Sequence, residues 1–216
     1  MSRGATKQHP DQAALREISA VIRALEKILA DLRQGKSYQI TRLTRLKRLC
    51  TDSEVATQFA AFVAQRSLQR LLERERPERV APERWERYVT LAAAGVDRMR
   101  QYLAERTPET RSALREQLRA LEQAQSTYEN IPYGAVRIVE CWDAMLVETA
   151  LRCMLALHDT ARLGYELARD YVERYNPRYG AGLIPSSAEP LEEVIGFWRA
   201  YVAERQLHTG IEGAAQ

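Results

Sequence analysis

Residues Ala135 to Leu157 read AVRIVECWDAMLVETALRCMLAL, and this stretch decides the fold. Seventeen of its 23 residues are apolar, and on a helix they cover every side. A helix of that kind has to be buried all round. The stretch also carries five charged residues, which is too many for a membrane span and unusual for a core. The sequence therefore predicts a buried helix, from about residue 133 to 157, at the centre of a helical domain.

The rest of the chain predicts further helices that pack around this central one. Apolar residues recur at steps of three and four in successive segments, and start signals such as Thr107-Pro108 separate them. No segment shows the sustained alternation that is typical of a strand. We therefore predict an all-α fold, a single-domain bundle of seven or eight helices over residues 11–206. Flexible tails are predicted at residues 1–10 and 207–216.

The composition is that of an ordinary globular domain. Charged residues make up 28% and hydrophobic residues 45%, and the net charge is only +3, so a general polyelectrolyte binder is not indicated. The N-terminus lacks the apolar segment of a signal peptide and no run reaches about 20 apolar residues. We therefore expect a cytoplasmic protein without membrane association.

Three cysteines, Cys50, Cys141 and Cys153, have spacings that fit neither a disulfide framework nor a zinc site. We expect them to be free, buried thiols in a reducing compartment. The sequence contains no pattern that calls for a metal or another cofactor.

The charged residues in and beside the central helix form the first candidate site. Glu148 precedes Arg152 by four residues, which is the order that favours an ion pair on a helix. One interpretation is a set of paired charges at a helix–helix contact. The other is a polar pocket for a small charged ligand. The candidate pocket residues are Arg137, Glu140, Asp143, Glu148, Arg152 and His158.

An apolar seam near the N-terminus is the second candidate. Its members alternate steps of three and four residues, as in a coiled coil: they are Leu15, Ile18, Ile22, Leu25, Leu29 and Leu32. The spacing fits a homodimer interface. It also fits a bundle helix that packs within its own chain, and the short length of the seam favours this second interpretation.

Two further segments are candidates for contacts with other molecules. The segment KSYQITRLTRLKRLC, residues 36–50, carries a basic stripe that suits phosphate contacts, although a solvated helix face is the alternative. The stripe consists of Arg42, Arg45, Lys47 and Arg48. A long irregular segment that begins at Tyr175 is typical either of a functional loop or of one that closes a bundle. Its candidate binding residues are Tyr175, Asn176, Arg178 and Tyr179.

No nucleophile motif, phosphate-binding loop or di-metal pattern accompanies these residues, so the sequence names no catalytic residue. It favours a non-catalytic cytoplasmic protein that works as an interaction or scaffold protein, with another protein or a second copy of itself, as a homodimer, for its partner. One alternative is a nucleic-acid-associated protein that uses the basic helix at 36–48. Another is a ligand-binding or catalytic domain built on the central-helix charges.

If the basic stripe contacts phosphates, Arg42→Ala, Arg45→Ala and Arg48→Ala should each weaken binding to DNA or RNA. Each change should also flatten the log–log dependence of affinity on salt by about one unit, because binding with one phosphate contact fewer releases about one counterion fewer. Fluorescence anisotropy across a salt titration measures both effects. If the wild type shows no binding even at low salt, the stripe is a solvated helix face.

Overall fold

The computed structural model describes residues 10–34, 53–78, 80–125, 127–131, 134–138, 141–156, 160–173 and 188–214. In chain order the elements are α1 (Pro10–Arg33), α2 (Ser53–Glu73), α3 (Pro82–Glu105), α4 (Pro108–Ala124), β1 (Thr127–Ile131), β2 (Gly134–Ile138), α5 (Trp142–Leu155), α6 (Thr160–Glu173) and α7 (Glu189–Ala214). Seven helices in these ranges confirm the predicted helical bundle, to which the structure adds one short hairpin. Within the same ranges, no helix is both long and apolar enough to cross a membrane.

Helix α5 lies at the centre of the bundle. It packs against α2, α3, α4 and α6, and ten of its 14 residues are buried. Neighbours on so many sides are what its apolar residues require, because a helix that is apolar all round has no face to turn to water. The prediction of a central buried helix is confirmed for residues 142–155.

The predicted start of this helix, near residue 133, is wrong. Residues 127–131 and 134–138 pair as the antiparallel strands β1 and β2, and α5 begins only at Trp142. Pro132 and Gly134 oppose a helix, because proline lacks the amide hydrogen and glycine loses the most backbone entropy on folding. The β-branched residues on either side of them favour paired strands. This local preference outweighs the apolar content of the stretch.

Helices α3 and α4 meet at a corner whose signals are visible in the sequence. Arg106 ends α3 in the left-handed conformation, with φ of 51°, and its N–H donates to the carbonyl of Tyr102 at 2.8 Å. Thr107 then caps α4, because its hydroxyl accepts the backbone N–H of Thr110 and the Thr110 hydroxyl accepts that of Thr107, both at 3.2 Å. Pro108 occupies the start of α4, where no N–H is needed. The predicted helix start is confirmed.

The last helix is longer than the sequence predicted. Helix α7 runs on to Ala214, through Gly210 and into the segment that was predicted as a tail from residue 207. One glycine costs a helix only about 1 kcal/mol relative to alanine, so the helix can continue through it. At the other end of the chain, α1 begins at Pro10, and residues 1–9 lie outside the described ranges.

An aromatic cluster attaches α7 to α2. The ring of Phe59 stacks on that of Trp198 with centroids 5.4 Å apart, and Phe62 stacks on Phe197 at 4.8 Å. Phe59 and Trp198 have no exposed surface. Aromatic pairs of this kind bury much area and add a geometric preference, so they fix how α7 lies on α2.

Gly95 lies where α3 contacts α4 and α5. A Cβ atom built there would be 3.1 Å from Cδ1 of Leu151 and 3.3 Å from Cδ1 of Leu121. Gly95→Leu should therefore lower the free energy of unfolding by about 1 to 3 kcal/mol, the usual cost of overpacking. Denaturant titration measures the change, and Gly95→Ala, which adds a single carbon, is the control and should cost less. A leucine variant as stable as the wild type would show that the three helices do not meet at this residue.

Candidate functional site

Two arginines of α2 and one that directly follows it bind carboxylates from two other helices. Arg66, Arg70 and Arg74 are spaced four residues apart, which places them on one side of the helix. Arg66 and Arg70 donate to Glu193 of α7. Arg74 donates to Asp143 of α5 at 3.0 Å, and Asp143 is buried. These three arginines, here called the arginine row, join α5 and α7 to α2.

Glu193 is enclosed by three donors. Its side chain is 12% exposed, and the Tyr171 hydroxyl of α6 donates to it in addition to the two arginines. The Arg70 guanidinium lies 4.8 Å from the centre of the Tyr171 ring, a cation–π contact. Burial, followed by the hydrogen bond to Glu193, raises the pKa of Tyr171. The hydrogen bond to Glu193 likewise raises the pKa of Arg66. At neutral pH the tyrosine is therefore neutral and the arginine charged, so the cluster is a fixed ionic contact.

Glu148 is the fully buried charge of the central helix. Arg152 donates to it at 2.6 Å, and the Gln125 amide at the end of α4 donates to its other oxygen at 3.2 Å. Arg152 also donates to Glu122 of α4 at 2.8 Å. The Glu148–Arg152 pair that the sequence indicated is therefore present, and it ties α5 to α4.

Of the six residues of the predicted polar pocket, the structure describes the side chains of three, Asp143, Glu148 and Arg152. Asp143 and Glu148 bind different arginines. Asp143 pairs with Arg74 from outside α5, whereas Glu148 pairs with Arg152 within α5, and Arg152 also binds Glu122 of α4. Arg137 lies on β2, so its predicted place on the central helix is wrong for the reason given for the hairpin. Glu140 and His158 lie outside the described residues.

Two further candidates also lie outside the described residues. They are the basic stripe Arg42, Arg45, Lys47 and Arg48 and the segment with Tyr175, Asn176, Arg178 and Tyr179. The same holds for Cys50, whereas Cys141 and Cys153 are buried free thiols as expected.

Burial makes the two described thiols poor nucleophiles. It raises the pKa of Cys141 to about 11 and that of Cys153 to about 12. Since the thiolate is the reactive form, both side chains are inert at neutral pH and act as small apolar groups. Among the residues whose side chains are described, no group of histidine, cysteine and carboxylate side chains is arranged to hold a metal ion.

The predicted apolar seam is divided between the core and the surface. Ile18, Ile22 and Leu25 are buried within the chain, and α1 packs against α7. Leu29 and Leu32 are only partly buried. The three buried residues therefore serve packing within the chain, and a second copy would have to expose the core in order to use them.

An open groove of about 310 Å³ lies between α1 and α7. Glu26 pairs with Arg199 on one side of its centre and Arg33 pairs with Glu192 on the other, both at 2.6 Å. Leu29 contributes apolar surface between the two ion pairs. This α1–α7 groove thus has an apolar floor between charged ends.

The arginine row and Glu193 were not predicted from the sequence. The spacing of Arg66, Arg70 and Arg74 is visible in the sequence, and it indicates that one side of α2 is basic. Nothing local shows which carboxylates bind there, because Asp143 and Glu193 are 69 and 123 positions away from their arginines.

Glu193→Gln should lower the free energy of unfolding by about 2 to 3 kcal/mol, less than the loss for a fully buried pair, because it leaves two partly buried arginines without their counter-charge. Glu166→Gln is the matched control. Glu166 forms an exposed i, i+4 pair with Arg162, so that change should cost about 0.5 kcal/mol or less. Urea titrations of the three proteins give the comparison. Equal losses for the two variants would mean that the Glu193 cluster does not hold the helices together.

No protein-family model, curated protein or solved structure matches the chain. The proposed function therefore rests on the residues and contacts of the chain itself.

Proposed function

We propose that this chain is a non-catalytic helical protein that acts by binding other proteins, as an interaction or scaffold protein. The observation that carries the proposal is the use of its carboxylates that are buried or largely buried. Asp143 and Glu193 each bind an arginine of another helix, and Glu148 shares its arginine with Glu122 of α4. These charges connect helices.

A catalytic carboxylate has to reach the proton or the substrate that it acts on. Asp143 is 2% exposed and Glu148 has no exposed surface. Each already accepts an arginine hydrogen bond at 3.0 Å or less. Carboxylates that are buried and paired in this way suit a stable fold better than turnover of a substrate. We therefore assign them a structural role.

A small-ligand site combines a concave apolar surface with convergent polar groups. The α1–α7 groove has a different character, because its charged side chains pair with each other across it. A shallow groove between two long helices, with charges at intervals along it, suits an elongated partner such as another helix. The groove therefore supports protein binding.

The compartment that we propose is the cytoplasm. Cys141 and Cys153 are free thiols, and free cysteines are typical of reducing compartments.

Site-specific photo-crosslinking tests the proposal directly. A photoreactive amino acid is placed at one exposed position of each surface, for example at Ala30 on α1 or at Arg119 on α4, in cells that normally make the protein. We expect discrete adducts from one surface, each identified by mass spectrometry. The positions that yield no adduct are the control for random collision. A full set of exposed positions without any adduct would contradict the proposed function.

A further inference from the structure

We infer that the α1–α7 groove is the interface with a second copy of this chain, related to the first by a two-fold axis. The inference rests on the proposed function and names its partner. It replaces the predicted apolar seam as the homodimer surface, because half of that seam is buried in the core.

The charges of the groove alternate in sign. Glu26 and Arg33 are seven residues, or two turns, apart on α1, and Glu192 and Arg199 are seven apart on α7. Because Glu26 pairs with Arg199 and Arg33 with Glu192, the two helices run antiparallel. The four side chains stand at the corners of a rectangle in which every neighbour has the opposite sign. They are 37% to 64% exposed, so they can reach a partner.

This arrangement is complementary to itself. A two-fold axis that lies in the interface and crosses the helices midway sets α1 antiparallel to α1 of the second copy. Glu26 then faces Arg33 of the second copy, and Glu192 faces Arg199. An axis along the helices sets Glu26 against Arg199 of the second copy, again with opposite signs. In an isologous dimer each contact occurs twice, so four favourable charge contacts form in either orientation.

The centre of the groove is complementary in size as well. Leu29, which is partly buried, lies beside small Ala30 on α1, and Gly196 lies at the matching height on α7; both small residues are exposed. A Cβ atom built on Gly196 meets nothing within 4 Å. The axis that crosses the helices sets Leu29 against Ala30 of the second copy, and the axis along the helices sets it against Gly196. Leu29 thus faces a small residue in either orientation, which lets two helices approach closely.

The size of the surface fits a stable dimer. Helices α1 and α7 have 24 and 26 residues. At about 1.5 Å per residue and about 10 Å per helix, the pair presents a face of roughly 700 Å². Specific interfaces bury about 800 Å² on each partner, so this face supplies most of the area that is needed.

Charge reversal at all four corners tests the interface. The variant Glu26→Arg, Arg33→Glu, Glu192→Arg, Arg199→Glu keeps opposite signs within each chain and between two identical copies. We expect it to form homodimers, as the wild type does. In a mixed dimer with the wild type every corner would face its own sign, and like charges across an interface oppose binding. Native mass spectrometry of an equimolar mixture with a tagged wild type should therefore show at least about tenfold fewer mixed dimers than random pairing.

A single substitution provides an independent measurement. Gly196→Trp leaves the four charges in place and enters open space in the single chain, but it fills the centre of the interface. Sedimentation velocity should show its dimer dissociation constant raised by at least about tenfold. A tenfold weaker affinity corresponds to the loss of only a small part of the free energy of dimerisation. Ala104→Trp, at an exposed position of α3, is the matched control and should leave the constant unchanged.

Two results would overturn the inference. One is a wild type that stays monomeric at about 100 μM, where a micromolar dimer is readily seen. The other is free mixing of the reversed variant with the wild type, which would place the dimer contact on another surface. Adducts with a different protein in the crosslinking experiment would still support the proposed function, so the two failures are distinguishable.

Discussion

The structure depends on the pairing of buried carboxylates with arginines of neighbouring helices. A carboxylate taken out of water is costly unless a counter-charge and hydrogen bonds replace the solvent. The arginine row of α2 meets this requirement for Asp143 of α5 and for Glu193 of α7. If either helix slipped by one turn, about 5.4 Å, its carboxylate would have to share an arginine with the carboxylate of the other helix. Such pairs add little net stability compared with apolar contacts, but they favour the observed register.

Apolar packing supplies the stability that the ion pairs do not. Helix α5 is surrounded by four helices, and the stacked rings of Phe59 and Trp198 attach α7 to α2 in the same region. Non-directional apolar contacts would tolerate several arrangements of similar density. The ionic contacts at the edge of this core select one of them. Core and ion pairs are therefore complementary in what they contribute to the fold.

The surface charges have another role. The pairs at the α1–α7 groove are well exposed, and exposed pairs contribute only about 0.2 to 1 kcal/mol each, so the single chain does not depend on them. Exposed charges do influence which partner binds and in which orientation. The same residue types thus fix helix register where they are buried and suit recognition where they are exposed.

The sequence by itself determined the features that arise within a few turns of chain. These are the helical class, the start of α4 at Thr107 and Pro108, the burial of α5 and the pair between Glu148 and Arg152. Each of them follows from periodicity, capping or i, i+4 spacing, which depend on neighbouring residues. The hairpin is also a local feature. The high apolar content of the stretch predicted a helix there, although Pro132 and Gly134 oppose one.

Only the tertiary structure decided which distant groups meet. The partners of the arginine row, the division of the apolar seam between core and surface, and the alternating charges of the α1–α7 groove all join segments far apart in the chain. Glu26 and Arg199 are separated by 173 positions. Pairings at such separations depend on how whole helices pack. Because the entropic cost of closing a loop rises only slowly with its length, many arrangements of the helices could bury a similar apolar area. The sequence shows where the charged residues are, but not which residues they pair with.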